Sequence, residues 1–373
     1  MTHSECQSDH VDLVELVAFV AGAVIVAYTG FAALRTVVLP RAASTMINRI
    51  VFIGIRKVFN VLAHERRSYR ARDRVMALYG PVCLITLPFV WISLMIVGFT
   101  LMMWALNVEP LRQAFILSGS SIFTLGFAAP HNLPIDLLVF LEAMIGLGLV
   151  ALLISYLPSI YTAFARREQL VGMLESRAGS PPSAVVMLTR YTIIGAMANL
   201  DDELFKRWES WFIDVEESHT SFPALVFFRS PQPERSWIVA AGCVLDTAAI
   251  VMSTVDRPRS AATQLMERTG YLCLRRLADY FGIQYDQDPR PDDPISITRR
   301  EFDLVIVELQ AAGLPLKADL DQAWRDFAGW RVNYDTVLLQ LAALVFAPEA
   351  RWVSDRGVPT PKPKIFRRSA RAA

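Results

Sequence analysis

The chain has 373 residues, of which 53% are hydrophobic, and its mean hydropathy of +0.35 is too high for a typical soluble protein. Its 37 basic and 36 acidic residues nearly cancel, so no overall positive field attracts nucleic acid. The four cysteines and five histidines are scattered without a metal-ligand spacing, so the sequence encodes neither a zinc site nor a disulfide scaffold.

Three segments are long and apolar enough to cross a membrane as helices. Residues 16–34 carry no charge, and the acidic stretch before them, without Lys or Arg, is unlike a cleaved signal peptide. Residues 82–106 are also uncharged, and residues 137–156 contain one charge, Glu142. We therefore expect an all-α membrane protein with three transmembrane helices.

Basic residues predict which ends of these helices face the cytoplasm. Ten Lys or Arg residues lie between positions 35 and 74, and such residues resist translocation. This loop is expected inside, with the N-terminus and the segment between the second and third spans outside. Arg166 and Arg167 then mark the cytoplasmic end of the third span. The expected location is the inner membrane, with multiple spans and a cytoplasmic C-terminal domain.

The basic loop contains an amphipathic helix, because residues 47–62 place apolar side chains at helical spacing between cations. Two interpretations stay open: a helix lying on the anionic inner leaflet, or a linker helix packing on the protein's own cytosolic part. The predicted segments are the N-terminus with the first span (1–39), the basic linker (40–79), the second and third spans (80–165), an α-helical cytosolic domain (166–358) and a disordered basic tail (359–373).

Residues 107–134, between the second and third spans, are too apolar for a solvated loop and too short for another crossing with its turns. Pro110 suits the first turn of a helix, and residues 111–123 continue with one charge, Arg112. Small residues and a glycine follow. Irregular backbone at membrane depth persists only where its carbonyls face protein or a water-filled path. We therefore expect a re-entrant segment that lines an ion pathway.

The order of outer helix, short helix, Thr-x-Gly-aromatic strand and inner helix in residues 80–165 resembles the pore module of the potassium channel superfamily. The family's filter reads TVGYG, and this chain has Thr124, Leu125, Gly126, Phe127 and Ala128. The resemblance implies that the hydroxyl and carbonyl oxygens of Thr124, and the next three carbonyls, replace the hydration shell of a monovalent cation, potassium in the family. It also implies a homotetramer, because one such segment per chain cannot enclose a pathway. No cofactor is expected besides the permeant cation.

The chain departs from the family at the end of this segment. Ala128 replaces a glycine, so a left-handed backbone there would be strained, and Ala129 stands where an acidic residue commonly follows. The sequence therefore leaves the permeant ion open. It also leaves open a non-conducting membrane scaffold or sensor, built on a degenerate pore module, whose cytosolic helices bind a partner.

Four residues of the third span are candidates for gating the pore or supporting the filter. Gly146 and Gly148 allow either bending or close helix packing, and Pro158 removes a backbone donor near the cytoplasmic end. A bend there would suit a pore that opens at its inner mouth. Glu142 is expected behind the filter, hydrogen-bonded to the short helix near residues 118–121 rather than to permeant ions.

The C-terminal half is predicted to be a helical bundle that follows a linker at residues 180–183. Residues 237–255 carry one charge, Asp246, which would cost about 2.5–3.5 kcal/mol at a bilayer centre. We therefore predict a buried core helix there rather than a fourth span. Further helices are predicted where apolar side chains recur at helical spacing, near residues 201–215, 261–280, 302–309, 324–332 and 337–346.

Motifs of enzymes are missing from this half, which has no P-loop, no Rossmann-type glycine motif and no nucleophile motif, so we do not expect an enzyme. The acidic loop 286–293 lacks the Gly and Glu of an EF-hand and is read as a solvated turn. Trp208 and Trp211 are expected in the core. The expected partners are membrane lipids, with the basic tail near the anionic inner leaflet, and the cytosolic ligand is left unknown.

Overall fold

The computed structural model describes residues 4–37, 45–64, 68–128 and 132–356, with side chains from residue 13 onward. Within these ranges the protein is helical, and its one β-bridge joins Val255 and Leu316. The predicted all-α class is confirmed. The fold has two compact units: the first takes in the described residues of Met1–Gly54 and Pro81–Tyr161, and the second those of Ile55–Gly80 and Thr162–Ala373. Ala129 and the predicted tail lie outside the described residues.

Six helices cover the N-terminal half of the chain. They are α1 (Ser4–Val37), α2 (Met46–Leu62), α3 (Tyr69–Ala77), α4 (Tyr79–Ala105), α5 (Leu111–Ile122) and α6 (Leu133–Ala178). Three stretches are long and apolar enough to cross a membrane: Leu13–Val37, Tyr69–Ala105 and Leu133–Ala178. They contain the three predicted spans. Because α6 continues through Pro158, it runs well beyond the predicted third span.

In the first unit, the backbones of α1 and α4 approach each other closely at two glycines, Gly22 and Gly98. A Cβ on Gly98 would lie 2.9 Å from the carbonyl oxygen of Gly22, and a Cβ on Gly22 would clash with the carbonyl oxygen of Gly98. Small residues allow such backbone approach between membrane helices. The same unit joins α1 to the start of α2, because Asn48 Nδ2 donates to Thr36 Oγ1 at 2.8 Å.

The second half of α2 belongs to the second unit. Arg56 donates from Nη2 to the carbonyl oxygen of Leu344 at 3.0 Å, and its guanidinium lies 5.2 Å from the ring centre of Tyr79. Of the two interpretations of this helix, the part from Ile55 onward agrees with a linker helix that packs on the protein's own C-terminal part.

Seven further helices form most of the second unit: α7 (Ala184–Ile193), α8 (Lys206–Ser221), α9 (Trp237–Ser253), α10 (Ala261–Phe281), α11 (Arg299–Ala311), α12 (Leu320–Arg331) and α13 (Asp335–Val345). A π-helical turn, Leu200–Phe205, precedes α8. Thr298 caps α11 in a capping box with Glu301, and Gly282 ends α10 with a left-handed φ of 65°. These helices confirm the predicted helical bundle. Helix α7 was not among the predicted helices.

Helix α9 is the centre of the second unit, because α7, α10, α12 and α13 all pack on it and 16 of its residues are buried. Its charge, Asp246, is paired inside the bundle: it accepts hydrogen bonds from Arg331 and, at 3.0 Å, from the hydroxyl of Tyr334. The prediction of a core helix is confirmed. The carboxylate that counted against a membrane span is an ion-pair partner of Arg331.

The last part of α6, from Thr162, is also built into the second unit. Arg167 is 2% exposed and donates to the carbonyl oxygens of Leu225 at 2.8 Å and Phe228 at 2.7 Å. The indole nitrogen of Trp211 donates to the carbonyl oxygen of Arg167 at 3.0 Å. Trp208 and Trp211 are both buried, which confirms their predicted place in the core. The predicted linker at residues 180–183 is a short turn between α6 and α7.

The acidic loop at residues 286–293 forms an exposed turn, as predicted. Its carboxylates accept from nearby backbone amides: Asp286 Oδ1 from the amide of Asp288 at 3.0 Å, and Asp293 Oδ2 from the amide of Arg290 at 2.8 Å. Such short-range bonds between Asx side chains and the backbone are typical of turns.

Glu267 on α10 is a fully buried carboxyl group whose two oxygens have no hydrogen-bond partner in the part of the chain that the structure describes. Burial raises the pKa of Glu267 to about 8, although the charges of Arg275 and Arg268 oppose this shift. The folded protein therefore holds Glu267 as the neutral acid near pH 7.

Glu267→Gln is expected to stabilise the protein at neutral pH. Unfolded Glu267 ionises near 4.5 and folded Glu267 near 8, so stability falls as the pH rises through this window and is constant above it. At pH 7 the penalty is about 3 kcal/mol, which glutamine removes. Thermal unfolding of both proteins in one detergent should show a larger gain in Tm at pH 8 than at pH 5. An equal gain at both pH values would contradict the buried neutral acid.

Candidate functional site

The candidate site is the short helix α5 with the residues that follow it. α5 begins after Pro110 and has 12 residues, which confirms the helix predicted over residues 111–123. One side of the helix is buried in the first unit, through Ala114, Leu117, Ser118, Ser120, Ser121 and Ile122. This buried side holds α5 in place, so the position of its C-terminal end is defined.

The backbone leaves the helix at Phe123 and takes an alternating conformation. The amide of Leu125 donates to the carbonyl oxygen of Ser120 at 2.8 Å, which closes the end of α5. Thr124 and Gly126 both have left-handed φ values, 53° and 71°. Ala128 is not among the described residues with positive φ, so the expected strain at Ala128 is absent and strain falls on Thr124 instead.

The carbonyl oxygens of Thr124, Leu125, Gly126 and Phe127 accept no hydrogen bond from any residue that the structure describes. The side chains of Leu125 and Phe127 are 61% and 68% exposed, and the Thr124 hydroxyl donates to the Phe123 carbonyl oxygen at 2.8 Å. Unpaired carbonyls cost free energy in an apolar environment unless an ion, water or partner chain satisfies them. We call Thr124–Phe127, with these carbonyls, the carbonyl row.

Glu142 of α6 is fully buried in the first unit and accepts a hydrogen bond from Ser118 Oγ at 2.5 Å. This confirms the hydrogen bond that was predicted between Glu142 and residues 118–121. Ser118 Oγ also lies 3.3 Å from the carbonyl oxygen of Ile96 on α4. These contacts join α4, α5 and α6 through one hydroxyl group, so the helix that precedes the carbonyl row is fixed on two sides.

The far end of the site is also held by α5, since the amide of Ala128 donates to Ser120 Oγ at 3.4 Å. The interaction is long and therefore weak. Together with the hydrogen bond from the Leu125 amide to the Ser120 carbonyl oxygen, it ties the second residue of the carbonyl row and the residue after the row to Ser120.

The three gating candidates lie in different surroundings. A Cβ on Gly146 would clash with the carbonyl oxygen of Ile122 and lie 3.0 Å from its carbon, so Gly146 is where α6 touches the end of α5. Gly148 has no atom within 4 Å of that position, and Pro158 is exposed within the continuous α6. Gly146 therefore has a packing role in this conformation. A hinge at Gly148 or Pro158 stays a prediction.

Gly146→Ala is expected to destabilise the first unit, because the new methyl group must displace the last residue of α5. Overpacking of this kind costs about 1–3 kcal/mol. Gly148→Ala is the matched control: it places the same methyl group in open space on the same helix, where alanine favours helix by about 1 kcal/mol. Thermal unfolding in detergent should give a lower Tm for Gly146→Ala alone. Equal shifts in both variants would contradict the close contact.

Sequence reasoning did not assign the contacts that Ile96, Ser120 and Ile122 make at the site. Ile96 and Ile122 act through backbone carbonyl oxygens, which any residue supplies, so their identity carries no signal. Ser120 lies in a run of small polar residues at the end of an apolar helix. That run was the available indication that hydroxyl groups organise this end of α5.

Among the residues that the structure describes, no group of three or more His, Cys, Asp or Glu side chains could hold a metal ion. No protein-family model matches the chain, and neither the curated proteins nor the solved structures contain a match. What the site presents is the carbonyl row, whose oxygens accept no hydrogen bond from the described residues.

Proposed function

We propose that the chain is one subunit of an oligomeric cation channel whose pore resembles that of the potassium channel superfamily. The carbonyl row carries this proposal, because Thr124 to Phe127 present unpaired oxygens directly after a short, firmly held helix. Rings of such oxygens replace the hydration shell of a monovalent cation. The carbonyl end of α5 adds partial negative charge at the same place.

The oligomer follows from what one chain leaves unsatisfied. Only 11% of the most apolar stretch of α6 is buried within the chain, against 39% for the stretch containing α4. In a cyclic homotetramer, the same carbonyl row from each subunit would face a common axis. Partner subunits and lipids would then share the remaining surface of α6.

The proposed topology places the N-terminus outside, and the basic loop and the second unit in the cytoplasm, as the distribution of Lys and Arg favours. In this proposal the second unit gates or assembles the channel. Within that unit, buried Arg167 ties the last part of α6 to the carbonyl oxygens of Leu225 and Phe228.

Cation flux from liposomes tests the proposed function. Purified protein, shown to be tetrameric by cross-linking, is placed in liposomes with potassium and then with sodium as the permeant cation. We expect flux that favours potassium, and equal flux of both ions would indicate a non-selective cation pore. Tetramers that pass neither ion over a range of voltage and pH would overturn the proposal in favour of a non-conducting scaffold.

A further inference from the structure

A cleft of about 470 Å³ opens in the second unit, away from the carbonyl row. It lies between the end of α9, the start of α10 and one side of α12. Its size is that of a small-molecule site. Three cations line it, Arg257, Arg259 and Lys317, with one carboxylate, Asp326, and the ring of Trp330. The cleft therefore combines positive charge with an aromatic surface.

Each of the three cations keeps hydrogen-bond donors that are not used within the described chain. Arg257 donates from Nη2 to Asp201 at 2.5 Å, while its buried Nη1 has no partner. Arg259 is exposed and forms no ion pair among the described residues. Lys317 Nζ donates to the carbonyl oxygens of Met252 and Ser253, at 2.8 and 2.9 Å, which leaves one of its three protons.

The N-terminal turn of α10 borders the cleft, because Ser260, Thr263 and Gln264 line it. Ser260 precedes this helix of 21 residues, and its Oγ accepts from the amide of Thr263 at 3.5 Å. The amides of Ala261 and Ala262 donate to no acceptor that the structure describes. Such free amides and the helix dipole favour an anion. These amides are next in sequence to Ser260 and Thr263, which line the same cleft as the three cations.

We propose that this cleft binds a phosphate monoester, with the phosphate at the start of α10 and the organic group toward α12. The donors exceed what the two oxygens of a carboxylate accept, whereas a phosphate offers three terminal oxygens and about two negative charges. Even with Asp201 and Asp326 counted against Arg257, Arg259 and Lys317, the net charge is positive.

The far side of the cleft suits the organic part of such a ligand. Trp330 offers a flat apolar face, and Asp326 lies one helical turn before it on α12. Asp326 Oδ1 accepts from Gln322 Nε2 at 2.7 Å, which leaves Oδ2 for a ligand hydroxyl group. A ligand that carries both a phosphate and a ring is therefore favoured over a bare inorganic anion.

Calorimetric titration with phenyl phosphate tests this site in the full chain, kept in neutral detergent at constant ionic strength. We expect saturable binding of one molecule per chain. Arg259→Gln should weaken it at least about tenfold, because a charge-assisted pair is lost. Ala261→Pro removes one amide donor at the first helical position, where proline is tolerated, and should weaken it as well. Thermal unfolding checks that each variant is folded.

Arg300→Gln is the matched control, because Arg300 is exposed in the first turn of α11 and does not line the cleft. Its affinity for phenyl phosphate should equal that of the wild type. Displacement by inorganic phosphate, but not by dioctanoyl phosphatidic acid, would identify a soluble ligand, and the reverse a lipid headgroup. Absence of saturable binding, unchanged binding in Arg259→Gln, or an equal loss in Arg300→Gln would overturn the site. Because binding is measured directly, the result is independent of ion conduction.

Discussion

Gly126→Ser is expected to abolish cation flux while the oligomer still assembles. Gly126 has a left-handed φ of 71°, a conformation that costs a residue with a side chain about 1–3 kcal/mol. Steric space is not the reason, because a Cβ there would meet no atom of the chain within 4 Å. The strain arises in the backbone and, in the proposed channel, would turn a carbonyl away from the pore axis in every subunit. We therefore expect flux to be lost in this variant.

The matched control for this experiment is Gly119→Ser, the same substitution seven positions earlier. Gly119 lies within α5, where a Cβ also meets no atom within 4 Å and where serine is a better helix former than glycine. Flux should be retained in this variant. Cross-linking in detergent shows whether both variants form the wild-type oligomer. Wild-type flux in Gly126→Ser would show that the carbonyl row is not the filter.

The helices of the first unit were predictable because their signal is local. A run without charges, such as residues 82–106, has few alternatives to a membrane helix, and α4 covers nearly all of it. Pro110 and the apolar residues after it likewise predicted α5. The length of α6 was less predictable, because Pro158 lies on an exposed face and the helix continues past it.

The contacts that position the carbonyl row could not be read from spacing. Gly146 was predicted to allow either bending or close packing, and the carbonyl of Ile122, on another helix, makes it a packing residue. Strain was considered at Ala128 by analogy with a glycine of the family, whereas the residue of this segment that carries a side chain and has a left-handed φ is Thr124. Arg167 was predicted to mark the cytoplasmic end of the third span, and the structure shows its side chain buried against backbone carbonyls. Backbone oxygens carry no sequence signal, so such partners appear only in the fold.

The single charge in the apolar segment 237–255 favoured a core helix over a membrane span, because a charge is costly at a bilayer centre. A carboxylate such as Asp246 in a helix this apolar must be paired, and periodicity does not say with what. Its partner Arg331 lies 85 residues further along the chain, at the end of α12. The prediction of a core helix therefore required an ion-pair partner that the sequence could not name.

Arg331→Leu is expected to unfold the second unit. The Arg331 side chain is fully buried and donates to Asp246, to Asp335 Oδ1 at 2.8 Å and to the carbonyl oxygen of Trp352 at 2.6 Å. Although burial opposes ionisation of Asp335, Arg331 and a hydrogen-bonded serine hold the pKa of that carboxyl below its ordinary value. Without the guanidinium, the buried carboxyl groups of Asp246 and Asp335 lose their ion-pair partner. Breaking such a network costs about 3–5 kcal/mol, a large part of a domain's stability.

Arg299→Leu is the control for this loss, because Arg299 also pairs with two carboxylates, Asp303 at 2.8 Å and Asp321 at 2.7 Å, but at the surface. Exposed pairs contribute about 0–1 kcal/mol, so Tm should hardly change. Adding Asp246→Asn to Arg331→Leu should recover part of the lost stability, since one of the unpaired carboxylates is then neutral. If both single variants unfold at the same temperature, and Asp246→Asn restores nothing, then the ion pairs do not hold α9 and α12 together.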